Sequence, residues 1–264
     1  MAQLRTNNFT FNSIELSSFG FQVITLGKND TSRKIGTSRS ITKTENVHGS
    51  YQIDKLTPGT ESLSITITKV NKKGDALAIT NSDIEKLNEW LFTPTTYKEL
   101  IANDEDSGIV YFGIFTNATQ HYFQNGVGYI TLTFELNGSH AYSTIQEITK
   151  EVNGSTTFTI NLRNNMGEQY YPDIEFNITQ GDSFHIKNLT LDKTMKFSNL
   201  TNETKHGKVY GEGAMFMMSL VDDTVNLREK SNRKFLPLCR GKNRITINGT
   251  GTFKFTIQPK VALQ

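Results

Sequence analysis

The strongest constraint on the fold is an alternation of apolar and polar side chains, with a period of two, in short runs along the chain. Residues 62–68 read Ser-Leu-Ser-Ile-Thr-Ile-Thr, and Phe253, Phe255 and Ile257 repeat the pattern near residue 255. Successive side chains of a β-strand point to opposite faces, so this period indicates strands with one buried face. Asn, Gly, Asp and Ser separate the runs. The pattern predicts an antiparallel, mainly β protein of sandwich or barrel type.

One segment departs from this period and predicts a helix over residues 81–92. Its apolar residues Ile84, Leu87 and Leu91 are spaced three and four residues apart, which places them on one helical face. Ser82 and Glu85 have the spacing of a capping box at a helix start. We expect Trp90, beside this apolar stripe, to anchor the helix on a sheet.

The chain is long enough for two domains. Its 264 residues approach the length at which a single hydrophobic core stops growing. The strand pattern lapses around residues 137–143 and resumes at Thr156. Residues 1–143 contain 12 basic and 14 acidic side chains, whereas residues 144–264 contain 16 and 12. We therefore predict an N-terminal domain over residues 1–144 and a C-terminal domain over residues 145–264.

The stretch from Gly27 to Ser50 is too polar to form a core of its own. Two interpretations remain open: a disordered loop, or an extended arm ordered by lying on another subunit, where backbone pairing replaces side-chain burial. In the second case the candidate subunit contacts are its basic side chains, Lys28, Arg33, Lys34, Arg39 and Lys43.

Signals for catalysis are weak. Gly181-Asp182-Ser183 resembles the nucleophile block of one lipase-like esterase family, in which a distant Asp-x-x-His supplies the base. Here that motif is Asp182-Ser183-Phe184-His185, which overlaps the nucleophile block. We interpret Gly-Asp as a hairpin turn between two strands and predict that the protein is not an enzyme.

Metal and cofactor sites are not expected. The acidic run Asp104–Asp106 lacks the spaced oxygens and mid-loop glycine of a calcium loop. The five histidines lack the spacing of a zinc pair, and Cys239, the only cysteine, excludes an intrachain disulfide and a cysteine-based zinc cluster. We predict no metal and no cofactor.

The charge and hydropathy patterns restrict the partners. Between Arg228 and Arg244 the basic side chains are dense, but only Phe235 interleaves with them. A solvated face or an acidic protein partner therefore fits better than nucleic acid. No apolar run reaches about 18 residues, and the first eight residues lack the features of a signal peptide. We expect folding in the cytoplasm and no membrane partner.

The order of these elements resembles the distal tail proteins of phages with long non-contractile tails that infect Gram-positive bacteria. The matching N-terminal segments are residues 87–91 (Leu-Asn-Glu-Trp-Leu), 97–101 (Tyr-Lys-Glu-Leu-Ile), 104–106, 111–115 (Tyr-Phe-Gly-Ile-Phe) and 140–143. The matching C-terminal segments are residues 165–167, 171–174 (Tyr-Pro-Asp-Ile), 184–188 (Phe-His-Ile-Lys-Asn), 235–238 (Phe-Leu-Pro-Leu) and 241–247 (Gly-Lys-Asn-Arg-Ile-Thr-Ile). Within them we take as structural anchors Trp90, Tyr111, Gly113, Gly241 and Asn243.

The resemblance implies an N-terminal β-sandwich with one helix and an extended belt arm, about residues 27–50, followed by a C-terminal galectin-like β-sandwich. It implies a structural virion protein that forms a homo-hexameric ring at the phage tail tip. The ring would join the major tail (tube) protein to the tail-tip hub and leave a channel through which DNA passes as cargo. Receptor-binding or baseplate proteins are further candidate partners, and assembly would take place in the bacterial host cytoplasm.

Two other functions stay open. A galectin sugar site needs a tryptophan near a His-x-Asn-Pro-Arg strand, but the only tryptophan is Trp90 and that motif is absent. We therefore expect the C-terminal domain to dock proteins. The alternative is a carbohydrate-binding module for adhesion to the host cell wall, with an aromatic platform at Tyr170, Tyr171 or Tyr210. The third is an esterase that uses Ser183.

Overall fold

The computed structural model describes residues 2–3, 6–25, 39–45, 51–58, 61–102, 108–123, 125–162, 167 and 169–261. The chain divides into two compact units, the first containing Met1–Tyr142 and the second Ser143–Val261. Strands dominate both units and the described residues contain one α-helix, which confirms the mainly β fold class. That helix has twelve residues, and nothing in the described ranges forms a helix long and apolar enough to cross a membrane.

The described residues up to Ser143 form eleven strands, the helix α1 and a short 3₁₀ helix. The strands are β1 (Ala2–Gln3), β2 (Phe9–Phe11), β3 (Ile14–Glu15), β4 (Phe21–Val23), β5 (Arg39–Glu45), β6 (Tyr51–Pro58), β7 (Ser62–Lys69), β8 (Lys98–Ala102), β9 (Ile109–Tyr122), β10 (Gly128–Leu136) and β11 (Ala141–Ser143). The helix α1 is Asn81–Phe92 and the 3₁₀ helix is Leu16–Phe19.

The main sheet of the first unit follows the order β1-β7-β10-β9-β8-β2-β3. β7 and β10 pair antiparallel, from Leu63 opposite Phe134 to Ile67 opposite Ile130. These four side chains are buried, together with Ile65. The alternation in residues 62–68 therefore produces a strand with a buried face, as the sequence predicts. β8 and β9 also pair antiparallel, while residues 103–107 between them lie outside the described residues.

The helix α1 has the predicted bounds but a different cap. Thr80 is the N-cap: its hydroxyl accepts from the Asp83 backbone N–H, and the Asp83 carboxylate accepts from the Thr80 N–H at 2.8 Å. The predicted Ser82–Glu85 box is wrong, because the helix already begins at Asn81. Asp83 also accepts a 2.7 Å hydrogen bond from Lys69 of β7. One carboxylate thus closes the first turn and ties the helix to the sheet.

The described residues of the second unit form seven further strands and a 3₁₀ helix. The strands are β12 (Gln146–Leu162), β13 (Asp173–Asn188), β14 (Lys193–Phe197), β15 (His206–Tyr210), β16 (Phe216–Ser219), β17 (Gly241–Ile257) and β18 (Lys260–Val261); the 3₁₀ helix is Leu227–Lys230. Its sheet follows the order β12-β17-β13-β15-β16, and β14 pairs with β13.

The long strands of the second unit bend at glycines. β12 and β17 pair over their whole length, with Gly154 opposite Gly249 at the middle. The Lys150 ammonium nevertheless lies only 5.3 Å from the centre of the Phe158 ring. In a straight strand, the Cα atoms of these two residues, eight positions apart, would be separated by about 26 Å. The ribbon therefore folds over near Gly154 and Gly249, whose φ angles of 82° and 146° favour glycine.

β13 bends in the same way, which corrects the predicted hairpin turn at Gly181-Asp182. The strand is continuous, but its register with β17 jumps from Gln180 opposite Thr250 to His185 opposite Asn248. This is a bulge, with Gly181 at φ 84°. The first half of β13 pairs with β15 and the second half with β14.

The bends bring distant aromatic rings into one core. Phe176 and Phe184, on the two halves of β13, have ring centroids 4.6 Å apart. Phe197 stacks on Phe184 at 5.0 Å, and Phe253 meets Phe184 edge-on at 5.2 Å. All four side chains are buried. Folding the long strands over this cluster makes a sandwich from a few strands.

A buried amide pair fixes the entry into β17. The Asn243 side chain is fully buried; it accepts from the Cys239 N–H at 2.8 Å and donates to the Cys239 carbonyl at 2.7 Å. Asn188 of β13 donates to Asn243 at 3.0 Å and to the Pro237 carbonyl at 2.8 Å. Gly241, at φ 94°, lies within this loop. The loop is thus held by these side-chain hydrogen bonds together with an antiparallel backbone bridge between Leu238 and Tyr170.

We expect Asp83→Asn to destabilise the first unit by about 1–2 kcal/mol at neutral pH. Burial opposes ionisation of this carboxyl, but hydrogen bonds from Lys69 and Thr80 outweigh it and lower the pKa of Asp83 from 3.8 to about 2. Because the folded pKa is depressed, this stabilisation is present above about pH 4 and is lost as the pH falls towards 2. Urea unfolding followed by Trp90 fluorescence measures it. Glu85→Gln, an exposed change in the same helix, is the control and should leave the midpoint unchanged.

We expect Asn243→Ala to destabilise the second unit by about 3 kcal/mol, because buried partners of Asn243 lose their hydrogen bonds. Asn161→Ala, at an exposed position of the adjacent strand, should change stability by less than about 0.5 kcal/mol. Urea unfolding followed by circular dichroism compares the two variants. The fluorescence transition of Trp90, in the first unit, should stay where it is. Equal stability of the two variants would contradict the role given to the amide pair.

Candidate assembly surfaces

The strands β5 and β6 form a two-stranded ribbon that is a sheet of its own. They pair antiparallel from Arg39 opposite Pro58 to Glu45 opposite Tyr51. Within the described ranges the ribbon pairs with no other strand. A two-stranded ribbon is at best marginally stable alone in water. Its outer backbone edges are therefore available to another chain.

The structure places part of the predicted arm in this ribbon. Arg39 and Lys43 lie in β5, and the Lys43 side chain is exposed. Lys28, Arg33 and Lys34 lie outside the described residues. The second strand, β6, lies beyond residue 50, so the ribbon extends further along the chain than the predicted arm.

A second surface is the outer end of the β9–β10 hairpin. The last seven residues of β9, Thr116–Tyr122, all have exposed side chains, so both faces of this strand are accessible. β8 pairs with β9 only from Val110 to Gly113. At the tip, Tyr122 and Phe123 are 72% and 66% exposed. Large aromatic side chains this exposed are typical of contact sites.

Sequence reasoning missed this tip. The local signal is the run His121-Tyr122-Phe123 directly before the turn at Asn125-Gly126. Aromatic residues are usually assigned to a core. Only the structure, in which β9 and β10 continue as a pair beyond the end of β8, shows that this run lies at an exposed tip.

Trp90, by contrast, lies inside the first unit. Its ring is 7% exposed and stacks on Phe19 at 4.7 Å and Phe9 at 5.8 Å. Its indole N–H donates to the Phe11 carbonyl at 3.1 Å. This satisfies the polar atom of a buried tryptophan. A cavity of about 600 Å³ adjoins the ring and is also lined by Lys86, Glu89 and Lys98.

Tyr111 and Gly113 lie in the part of β9 that pairs with β8. Tyr111 is 5% exposed and pairs with Leu100. At Gly113 a Cβ atom would collide with the Glu135 carbonyl and the Phe134 ring of β10. Only glycine allows this close approach of the two strands.

The first unit matches a known protein family. Residues 4–138, just over half of the chain, match a family described as phage tail protein N-terminal domain. The chain belongs to this family of phage tail proteins. No curated protein sequence matches the chain.

Solved structures show a similar fold for the whole phage tail protein. The Dit protein (gp 19.1) of phage SPP1, described as a paradigm of the hub adsorption apparatus in phages that infect Gram-positive bacteria, matches with a TM-score of 0.62 and 17% identity. The match covers 95% of this chain and 98% of that chain. A structure of the phage p2 baseplate in its activated conformation matches at a TM-score of 0.48 and 8% identity, over 94% of this chain and 97% of that chain. The likeness to SPP1 Dit shows that the chain has the distal-tail-protein fold that the sequence resemblance implies.

The motif at Ser183 does not assemble a catalytic triad in this phage tail protein. His185, two residues further along β13, faces Asn248, whose amide nitrogen lies 2.9 Å from His185 Nε2. Ser183 and His185 share a shallow cavity of about 250 Å³ that is also lined by Lys196 and Asn248. Among the described residues that line it, none is an aspartate to orient the imidazole.

The described residues offer no metal centre: no three His, Cys, Asp or Glu side chains come together in them as they would around an ion.

The aromatic candidates for sugar binding differ in accessibility. Tyr170 is buried, its hydroxyl accepts from the Gln258 N–H, and burial raises the pKa of Tyr170 to about 12. It cannot serve as a platform. Tyr171 and Tyr210 are partly exposed.

Proposed function

We propose that this phage tail protein is a distal tail protein that forms a hexameric ring between the tail tube and the tail-tip hub. The role is structural, with no catalytic step. The observation that carries the proposal is the β5–β6 ribbon, which pairs with no other strand of the described chain. Its unpaired backbone edges can be satisfied by a neighbouring copy, and such head-to-tail contacts close into a ring when the rotation fits.

The shared fold supports the same proposal. The likeness to SPP1 Dit extends over nearly the whole of both chains, so both units of this chain have counterparts in a protein of a phage hub. On this proposal the ring leaves a central channel through which DNA passes. The major tail protein and the hub protein contact opposite faces, and receptor-binding or baseplate proteins attach at the tip.

The exposed end of the β9–β10 hairpin is the second contact surface in this proposal. Tyr122 and Phe123 add large apolar area at the tip, and aromatic anchors contribute strongly to binding where they become buried. The seven exposed residues Thr116–Tyr122 contain no lysine or proline, the residues that commonly protect a strand edge from pairing.

Light scattering tests the ring directly. We expect the purified protein to have six times the 29.7 kDa mass of the chain at micromolar concentration.

Replacing residues 27–60 by a short Gly-Ser linker removes the ribbon and should lower the mass of the assembly. Circular dichroism and the Trp90 fluorescence transition should stay close to those of the intact protein, because no strand of the main sheet pairs with the ribbon in the described residues. A shortened protein with an unchanged mass and dissociation midpoint would exclude the ribbon as the contact.

The hairpin tip has a matched test. Tyr122→Ser combined with Phe123→Ser should weaken assembly by at least about tenfold in the dissociation constant, as loss of buried aromatic area predicts. Tyr97→Ser is the control, because Tyr97 is 56% exposed in the same unit but lies away from the tip. Dilution series by mass photometry compare the variants. Equal weakening by both changes would show that the tip has no specific role.

A further inference from the structure

A small cavity in the second unit combines cationic and aromatic side chains. It has a volume of about 160 Å³, and its lining includes Asn226, Arg228, Arg233, Phe216 and Phe235. None of the described side chains that line it is acidic. Sites for drug-sized ligands usually exceed about 300 Å³. This volume therefore suits one sugar ring or a group of similar size.

The two arginines are free to bind an anion. Across the described residues, neither the Arg228 nor the Arg233 guanidinium has a carboxylate or hydrogen-bond partner. The Asn226 side-chain oxygen accepts a 2.9 Å hydrogen bond from the backbone N–H of Arg228. The NH₂ group of the Asn226 side chain is left free to donate. A guanidinium presents paired donors that match the oxygens of a phosphate or carboxylate.

A flat aromatic surface adjoins these cations. Phe216 is 45% exposed, and its ring stacks on Tyr210 with centroids 4.3 Å apart and planes 15° apart. The Lys208 ammonium lies 4.5 Å from the centre of the Tyr210 ring and supports the pair by a cation–π contact. The outer face of Phe216 is thus held flat and open, and the C–H face of a sugar ring can pack against it.

The backbone at the cavity is strained. Met215 and Arg233, which both line it, have φ angles of 53° and 58°. Residues other than glycine rarely adopt this left-handed conformation. Such strain persists where the surrounding structure enforces it and concentrates at ligand sites.

We propose that this cavity binds a saccharide that carries a phosphate or carboxylate group. Arg228, Arg233 and the Asn226 amide hold the anion, and Phe216 packs against the sugar ring. The site lies within one unit of one chain, so it does not depend on ring formation. It goes beyond the structural role, because it gives the tail protein a direct contact with an anionic glycan.

The platform differs from the one that the sequence suggests. Tyr210 takes part, but as the ring beneath Phe216, and Phe216 is the residue that a ligand meets. The arginines belong to the basic stretch that sequence analysis assigns to a solvated face or an acidic protein partner. Their convergence on one cavity favours a small anionic ligand instead.

The full-length protein is titrated with glucose 1-phosphate, glucuronic acid, glucose and inorganic phosphate, with binding followed by ligand-observed NMR. We expect glucose 1-phosphate or glucuronic acid to bind at least about tenfold more tightly than glucose and inorganic phosphate, since the site contacts both the ring and the anion. The first two probes distinguish a phosphate from a carboxylate ligand. If neither binds more tightly than both single-group probes, the proposal is wrong.

Variants locate the site. Arg228→Gln with Arg233→Gln should weaken binding of the preferred anionic sugar at least about tenfold. Arg240→Gln with Arg244→Gln removes the same charge at exposed positions outside the cavity and should change it less than about twofold. Equal loss in both pairs, or equal competition by a 20-bp DNA duplex, would reduce the binding to non-specific charge attraction and overturn the proposal.

Phe216→Ala separates the two halves of the site and removes no charge. It should weaken binding of the anionic sugar but leave inorganic phosphate binding unchanged, because phosphate needs only the arginines. Circular dichroism confirms that each variant is folded. Unchanged sugar binding in folded Phe216→Ala would overturn the assignment of the aromatic platform.

Discussion

Backbone hydrogen bonding between strands is the constraint on which this structure depends, because each strand edge needs a partner or contact with water. In the main sheet of the first unit, β7 and β10 satisfy each other along most of their length. The β5–β6 ribbon pairs with no further strand of the described chain. The same rule that folds the sheet thus leaves a surface suited to a second subunit, on which the proposed ring assembly is based.

Glycine gives the second unit its shape. Long strands such as β12 and β17 would form a flat ribbon with one face open to water, and their apolar side chains would stay exposed. Bends near Gly154, Gly181 and Gly249 fold the strands over the aromatic core around Phe184. The buried Asn188–Asn243 pair then holds the loop that leads into β17. A small number of strands therefore encloses a complete core.

The two proposed roles use different properties of the chain. Assembly depends on unpaired backbone edges and an exposed aromatic tip in the slightly acidic first unit. Glycan contact depends on unpaired arginines and a stacked aromatic pair in the basic second unit. A fold shared with SPP1 Dit at 17% identity shows that the pattern of buried faces, more than individual residues, determines this architecture.

The sequence by itself determined the mainly β class, the strands with period-two burial and the bounds of α1, because these depend on local periodicity. It misplaced the helix cap, because Thr80–Asp83 has the same local spacing as Ser82–Glu85. It read the Gly181 bulge as a turn, because the bulge depends on the pairing of β13 with β17, which is distant in the chain. Only the tertiary structure showed that the ribbon pairs with no other strand of the described residues, that Tyr122 is exposed and that Arg228 and Arg233 converge, because exposure and convergence are properties of packing between elements.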